Sequence, residues 1–191
     1  HAFVSIEDER FYQHNGIDMQ GILRAGVVGL TSGNFSEGAS TLTQQLIKNN
    51  VFPNFTEEKT FYDRLERKLQ EQYLAVDIEK QMSKEEIVEA YMNTINLGQN
   101  CLGVQTAAKR YFGKDVSELA LSECAVLAGI TQSPSDYDPV THPDDNKKRR
   151  DKVLKNMLKQ KYISQAEYDE AEADPVYDRI QATAQDTTTE P

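Results

Sequence analysis

A chain of 191 residues suits one domain with a sizeable core, or two small lobes sharing one. Its formal charge of −10 argues against a nucleic-acid partner, because neutralising phosphates needs a net basic surface or stripe. No apolar run reaches the length of about eighteen residues that crosses a bilayer, and no signal peptide begins the chain. His1 leads straight into the apolar Ala2-Phe3-Val4-Ser5-Ile6, which reads as a cut with an upstream part removed.

In chain order, the first distinctive segment is Ile6-Glu7-Asp8-Glu9-Arg10-Phe11-Tyr12-Gln13-His14-Asn15-Gly16, an acidic run boxed in by aromatics and a turn glycine. Ile17 to Leu30 is apolar with very few charges and, taken alone, reads as an ordinary core helix. Gly38-Ala39-Ser40-Thr41 opens a further helix, with Ser40 or a small neighbour as its cap. On that helix Thr41, Gln45 and Lys48 fall at i, i+4 and i+7, on one face. Arg64, Lys68 and Glu71 repeat the same spacing, with Arg67 one turn before Glu71. Ser83-Lys84-Glu85-Glu86 fits a capping box whose helix carries Ile87, Ala90 and Tyr91 on one side.

Asn93 to Gly103 has the glycine content of a loop that passes close to something. Val104, Ala107, Ala108 and Tyr111 then keep helical spacing up to Gly113, a helix-stopping residue. Leu121 to Ile130 is almost continuously small and apolar, as in a central buried helix, and Ser133-Pro134-Ser135 ends it. Asp144 to Lys161 is a charged helix with Val153, Leu154, Met157 and Leu158 as its apolar stripe. Its Lys147-Lys148-Arg149-Arg150 cluster reads as a solvated face. Ser164-Gln165-Ala166-Glu167 is a second capping box. Residues 182–191 are Thr-rich and aperiodic, and read as linker. The whole pattern is mainly α. Cys101 and Cys124 lack a Cys or His partner at ligand spacing, which excludes a metal site of that kind.

Three constellations invite chemistry. Glu7 is a carboxylate that Phe3, Ile6 and Phe11 would desolvate, making it a stronger base. Asp8 and Glu9, one and two positions on, would face elsewhere. An acidic run of this kind is more often a solvated surface, and His14 more often a structural histidine. The Thr41–Gln45–Lys48 row offers a hydroxyl, an amide and an ammonium, a set that can grip a sugar diphosphate. Glu71 with Arg67 and Lys68 is either a common helical ion pair or a carboxylate working beside bound phosphate.

Five segments resemble, in order, the motifs of the peptidoglycan glycosyltransferases, glycosyltransferase family 51. They are the Glu7-Asp8 segment, Gly38-Ala39-Ser40-Thr41-Leu42-Thr43-Gln44-Gln45, Arg67-Lys68-Leu69-Gln70-Glu71, Lys84 to Asn93, and Ala128-Gly129-Ile130-Thr131-Gln132-Ser133-Pro134 with Arg149-Arg150 downstream. The resemblance implies a lysozyme-like, two-lobed glycosyltransferase domain over residues 1–181, with a large head lobe and a small membrane-facing jaw lobe. Ile17 to Leu30 and Val51-Phe52-Pro53-Asn54-Phe55 would belong to the jaw, their apolar side chains meeting lipid.

It implies an inverting hexosyltransferase that polymerises lipid II into β-1,4-linked glycan and releases undecaprenyl diphosphate on the outer face of a bacterial cytoplasmic membrane. The parent would be of the bifunctional class A penicillin-binding type, although no Ser-x-x-Lys transpeptidase motif lies within these residues. Glu7 would be catalytic and Glu71 the second functional carboxylate, acting directly or through a divalent cation such as Mg or Mn. Substrate contacts would fall to Asp8, Phe11, His14, Ser40, Thr41, Gln45, Lys48, Asn49, Arg64, Arg67 and Lys68. The long step from Asn49 to Arg67 leaves open which of Lys59 and Arg64 adds a donor-site cation. Partners would be lipid II, the growing glycan strand, the membrane surface and phosphoglycolipid inhibitors of the moenomycin type. An extracytoplasmic site would permit a Cys101–Cys124 disulfide. The competing expectations are a lysozyme-type glycan hydrolase, which needs one Glu as general acid but no diphosphate cradle, and a non-catalytic wall scaffold.

Overall fold

The computed structural model describes residues 1–32, 38–52 and 60–180, and it is mainly helical. The helices are α1 (Ala2–Glu7), α2 (Met19–Ser32), α3 (Leu42–Val51), α4 (Phe61–Gln81), α5 (Lys84–Thr94), α6 (Val104–Phe112), α7 (Leu121–Ile130), α8 (Pro143–Lys159) and α9 (Gln165–Ala173). A 3-10 turn at Val116–Glu118 precedes α7. Among the described residues the β-structure is one isolated antiparallel bridge, Asn96 with Leu102. The chain divides into two compact units, one of residues 1–9 and 92–191 and one of residues 10–91, which matches the two-lobed expectation.

In the first unit α7 is the central element, packed against α1, α6, α8 and α9. Its sequence LSECAVLAGI has no polar face to give to water, and eight of its ten residues are buried, as an apolar all-round helix requires. Gly129 lets α8 approach, since a Cβ there would meet the Arg149 Cβ at 3.3 Å. α8 starts at Pro143, a residue whose missing N–H and fixed φ suit the first helical turn, and buries Val153, Leu154 and Met157. The basic cluster on α8 divides: Lys147 and Lys148 are exposed, whereas Arg149 is half-buried and Arg150 is buried. The solvated-face expectation holds only for the two lysines. Arg150 is on the inward register of Asn146, Val153, Leu154 and Met157, bonded to Asp151. α6 ends at Gly113 in the left-handed conformation at φ 68°, and Ser164 caps α9 through a reciprocal bond with Glu167, both as the sequence predicts.

In the second unit α3 packs on α4 over a core of Phe11, Leu42, Leu46, Ile47, Ala75, Ile87 and Tyr91. Gly16, at φ 88°, brings the chain so close to α4 that a Cβ would sit 2.6 Å from the Ala75 carbonyl, so the position is restricted to glycine. α2 departs from the core-helix expectation. Met19, Leu23, Val27 and Leu30 are 61–81% exposed, a connected apolar face turned to solvent.

Cys101 and Cys124 are both free, which corrects the disulfide expectation. Cys101 lies in the loop before α6 with its thiol toward the Gln99 carbonyl at 3.6 Å. Cys124 is in α7, near the chain's amino terminus, and burial raises its pKa, favouring the neutral thiol. Residues 53–55 of the expected membrane loop, Lys59, and the tail at 182–191 lie outside the described residues.

Candidate active site

Glu7 is the last residue of α1, and Asp8 closes the helix with its N–H on the Val4 carbonyl. Glu7 Oε1 accepts a hydrogen bond from the Thr131 hydroxyl at 2.5 Å, just past the end of α7. From α8, Arg149 Nη2 stands 3.8 Å from the same oxygen, and both side chains are only 12–13% exposed. The Arg149 guanidinium is itself stacked 5.3 Å from the Tyr137 ring centroid, which fixes its direction. Within this unit a hydroxyl donor and a cation stand at the Glu7 carboxylate. Of the two acidic residues that follow, Asp8 is buried, and Glu9 is exposed beside Lys159 at 3.3 Å.

The second unit carries the remaining residues that the sequence singles out. Phe11 is fully buried, with Lys84 Nζ 4.3 Å above its ring and His14 edge-on at 6.0 Å. Lys84 is held in turn by Glu79 at 2.5 Å. Phe11 thus acts as packing for this corner. Burial pushes the Asp18 carboxyl up, but bonds from Arg10 and the Gly21 N–H outweigh it and hold Asp18 below its ordinary value, so this segment is tied down at both ends.

Thr41, not Ser40, caps α3. Its hydroxyl accepts from the Gln44 N–H at 3.2 Å and donates to the Gly16 carbonyl at 2.8 Å. The Gln44 side chain returns to the Thr41 N–H. A buried hydroxyl spent on both a cap and a loop has a folding role first, and the Thr41–Gln45–Lys48 row is reduced to its last two members. Gln45 is half-buried and accepts from Tyr91 at 3.3 Å. Lys48 and Asn49 follow it, half-buried, toward the helix end.

Glu71 is fully buried. One carboxylate oxygen is bonded to Arg67 and the other to Lys68 Nζ at 2.7 Å. Lys68 also reaches Ser40 Oγ at 3.0 Å, so one ammonium joins the second and third motif segments. Arg64 is exposed on the same helix. Two cations already hold this carboxylate, which opposes the addition of a divalent cation there. Among the described residues no group of three His, Cys, Asp or Glu side chains could hold a metal ion. With both Glu71 oxygens engaged, the residues do not fit a resident divalent ion there.

Thr131 and Arg149 are the residues that sequence reasoning placed in motifs without giving them a site role. Arg150 had a readable signal, its position on the apolar register of α8. For Thr131 there was none, because its partner is distant in sequence.

A family model described as Transglycosylase matches residues 1–158. The chain is similar to Penicillin-binding protein 1A of Streptococcus oralis, 44% identical over 95% of this chain and 28% of that protein. It is similar to the proteins of the same name from Haemophilus influenzae, 46% identical over 92% of this chain and 20% of that one, and from Escherichia coli, 44% identical over the same shares. It spans 20–28% of the length of these three relatives. A crystal structure of Penicillin-Binding Protein 1A from Haemophilus influenzae aligns with 49% of this chain and 14% of that chain at 46% identity, with a TM-score of 0.47.

Proposed function

Because the chain belongs to the transglycosylase family, we propose that it is a peptidoglycan glycosyltransferase in which Glu7 is the general base. The observation that carries this reading is the Glu7 carboxylate, fixed by Thr131 and Arg149 at the end of a buried three-helix junction. Such a group is pre-set to accept a proton without reorganising.

The reaction joins two lipid-linked saccharides. Glu7 takes the proton of the acceptor hydroxyl, the acceptor oxygen attacks the donor's anomeric carbon, and the bond to the diphosphate breaks with its electron pair on the leaving group. Attack opposite the departing diphosphate inverts an α-linked donor to a β-linked product. Within the second unit, Lys48, Arg64, Arg67 and Lys68 with Gln45 and Asn49 are side chains of the kind that binds a diphosphate. Ser40 and Glu71 hold Lys68 for that task. No step runs through a metal. The same anion-binding set would accept a phosphoglycolipid inhibitor.

Glu7→Gln in the 191-residue chain tests the base. Incubated with labelled lipid II, the variant should make no polymer while melting near the wild-type temperature, since the amide is nearly isosteric but cannot take the proton. Near-normal polymer from the folded variant would sink the assignment. Shortened glycan from the wild type would instead indicate a hydrolase, and unchanged substrate a scaffold.

Among the described residues no helix is long and apolar enough to cross a membrane. The exposed face of α2 is the feature suited to resting on the outer surface of a bilayer, where lipid-linked substrate resides. By analogy with its relatives' names, the chain would be the glycan-polymerising part of a larger penicillin-binding protein.

A further inference from the structure

We propose that Thr131 is a positioning residue for Glu7, holding the carboxylate ionised and aimed and then turning its own proton to the Ala128 carbonyl once Glu7 has been protonated. This rests on Glu7 being the base.

The Thr131 oxygen stands 2.5 Å from Glu7 Oε1 and 2.9 Å from the Ala128 carbonyl oxygen. A hydroxyl has a single proton, so only one of these acceptors can receive it at a time. An ionised carboxylate wins, because charge-assisted bonds are shorter and roughly twice as strong as neutral ones. A protonated carboxyl loses that advantage. The Ala128 carbonyl belongs to the last turn of α7, whose carbonyls lack a partner within the helix, and it is a fixed second acceptor.

Both acceptors sit on rigid ground. Ala128 is fully buried in α7 and Glu7 closes α1. Thr131 itself is β-branched, with few rotamers open to it. Arg149 contributes differently. At 3.8 Å it supplies a steady positive charge without the short bond that would fix the carboxylate's direction. Thr131 supplies such a bond. Of the other charged groups on the packed elements, Glu9 pairs with Lys159 on α8, Lys148 with Asp145 and Arg150 with Asp151 within α8, and Glu123 at the far end of α7 with Lys114 and Arg179, while Lys147, Lys152 and Lys155 also lie on α8.

During transfer the acceptor's hydroxyl proton moves to Glu7, and the oxygen's electron pair forms the bond to the anomeric carbon. The departing diphosphate keeps the pair of the bond that breaks. As the Glu7 charge disappears, the Thr131 proton swings to Ala128. No proton enters or leaves the site beyond the one taken from the acceptor.

Thr131→Val removes the hydroxyl at nearly constant shape, and Thr131→Ser keeps it. In the 191-residue chain with lipid II, Thr131→Val should lower kcat about ten- to a hundredfold, as expected for one bond to a charged group, with KM little changed. Losing a donor to the ionised form moves the acid limb of the pH profile to higher pH. Thr131→Ser should restore both. Carbon NMR titration of the Glu7 side chain reads the same effect without turnover: its midpoint should be higher in Thr131→Val than in wild type, and close to wild type in Thr131→Ser. Unchanged kcat and midpoint in Thr131→Val overturn the proposal, as does a loss that Thr131→Ser shares. If Glu7→Gln remains active, the base assignment fails, and this inference fails with it. If Glu7→Gln is dead but Thr131→Val is normal, only the Thr131 role fails.

Discussion

Glu7 and Glu71 are both held by cations, but the two arrangements differ in how much of the negative charge they leave available. Glu7 accepts a bond from the Thr131 hydroxyl and lies 3.8 Å from the Arg149 guanidinium. Glu71 is fully buried between Arg67 and Lys68, which reads as a holder of cations rather than a base. Replacing it with Gln takes a counter-charge from Arg67, itself only 11% exposed. Removing one partner of a buried pair costs about 3–5 kcal/mol, and the 40% exposure of Lys68 screens part of that. Glu71→Gln should therefore unfold at lower urea, by about 2–4 kcal/mol, and lose most polymerisation. Activity should not return with added Mg²⁺. A variant of normal stability would show that the pair contributes nothing to the fold, and rescue by Mg²⁺ would restore the metal reading.

Asp174 offers a pH-dependent test at the same scale. Bonds from Arg179, then from Ser122, outweigh burial and lower its pKa to about 2. A depressed carboxyl contributes stability above its unfolded pKa, about 3.9, and loses it as pH falls through the folded value. The Asp174 contribution, on the order of 2 kcal/mol, should thus be full at neutral pH and vanish between about pH 4 and pH 2. Asp174→Asn should flatten that part of the stability curve measured by urea unfolding. An unaltered slope would refute the linkage.

Among the elements, α3 depends on Thr41 for its start. Thr41→Ala loses the cap and the bond to Gly16, and should cost about 1–2 kcal/mol in chemical denaturation. Since Gln45, Lys48 and Asn49 ride on this helix, activity should fall too, although the Thr41 hydroxyl does not face outward. Thr41→Ser should recover most of both. A neutral Thr41→Ala would mean that α3 is held by its apolar contacts alone.

α2 shows the reverse balance. Its exposed Leu23 and Val27 contribute little burial in water, so Leu23→Glu with Val27→Glu should shift stability by no more than about 0.5 kcal/mol. The same pair should weaken co-sedimentation with anionic lipid vesicles, because a charge on the buried face of an interfacial helix is costly. A large loss of stability with unchanged vesicle binding would make α2 an ordinary packed helix.

For the whole molecule, the sequence determined the helices and their order. Capping boxes at Ser83 and Ser164, the stop at Gly113 and the apolar stretch of α7 are local signals, and local signals are what a linear pattern records. It also determined the family, since five short motifs in order carried the resemblance. Tertiary structure decided which side chains each helix spends inward. Arg150 is buried and Lys148 exposed, two positions apart in one basic run. Thr41 is consumed by its own helix and by Gly16, and Cys101 and Cys124 settle beside different neighbours as free thiols. Above all, Thr131 meets Glu7 across 124 positions of sequence. The reason is physical: periodicity and caps act within a turn or two, whereas a hydroxyl and a carboxylate meet only after α1 and α7 have packed.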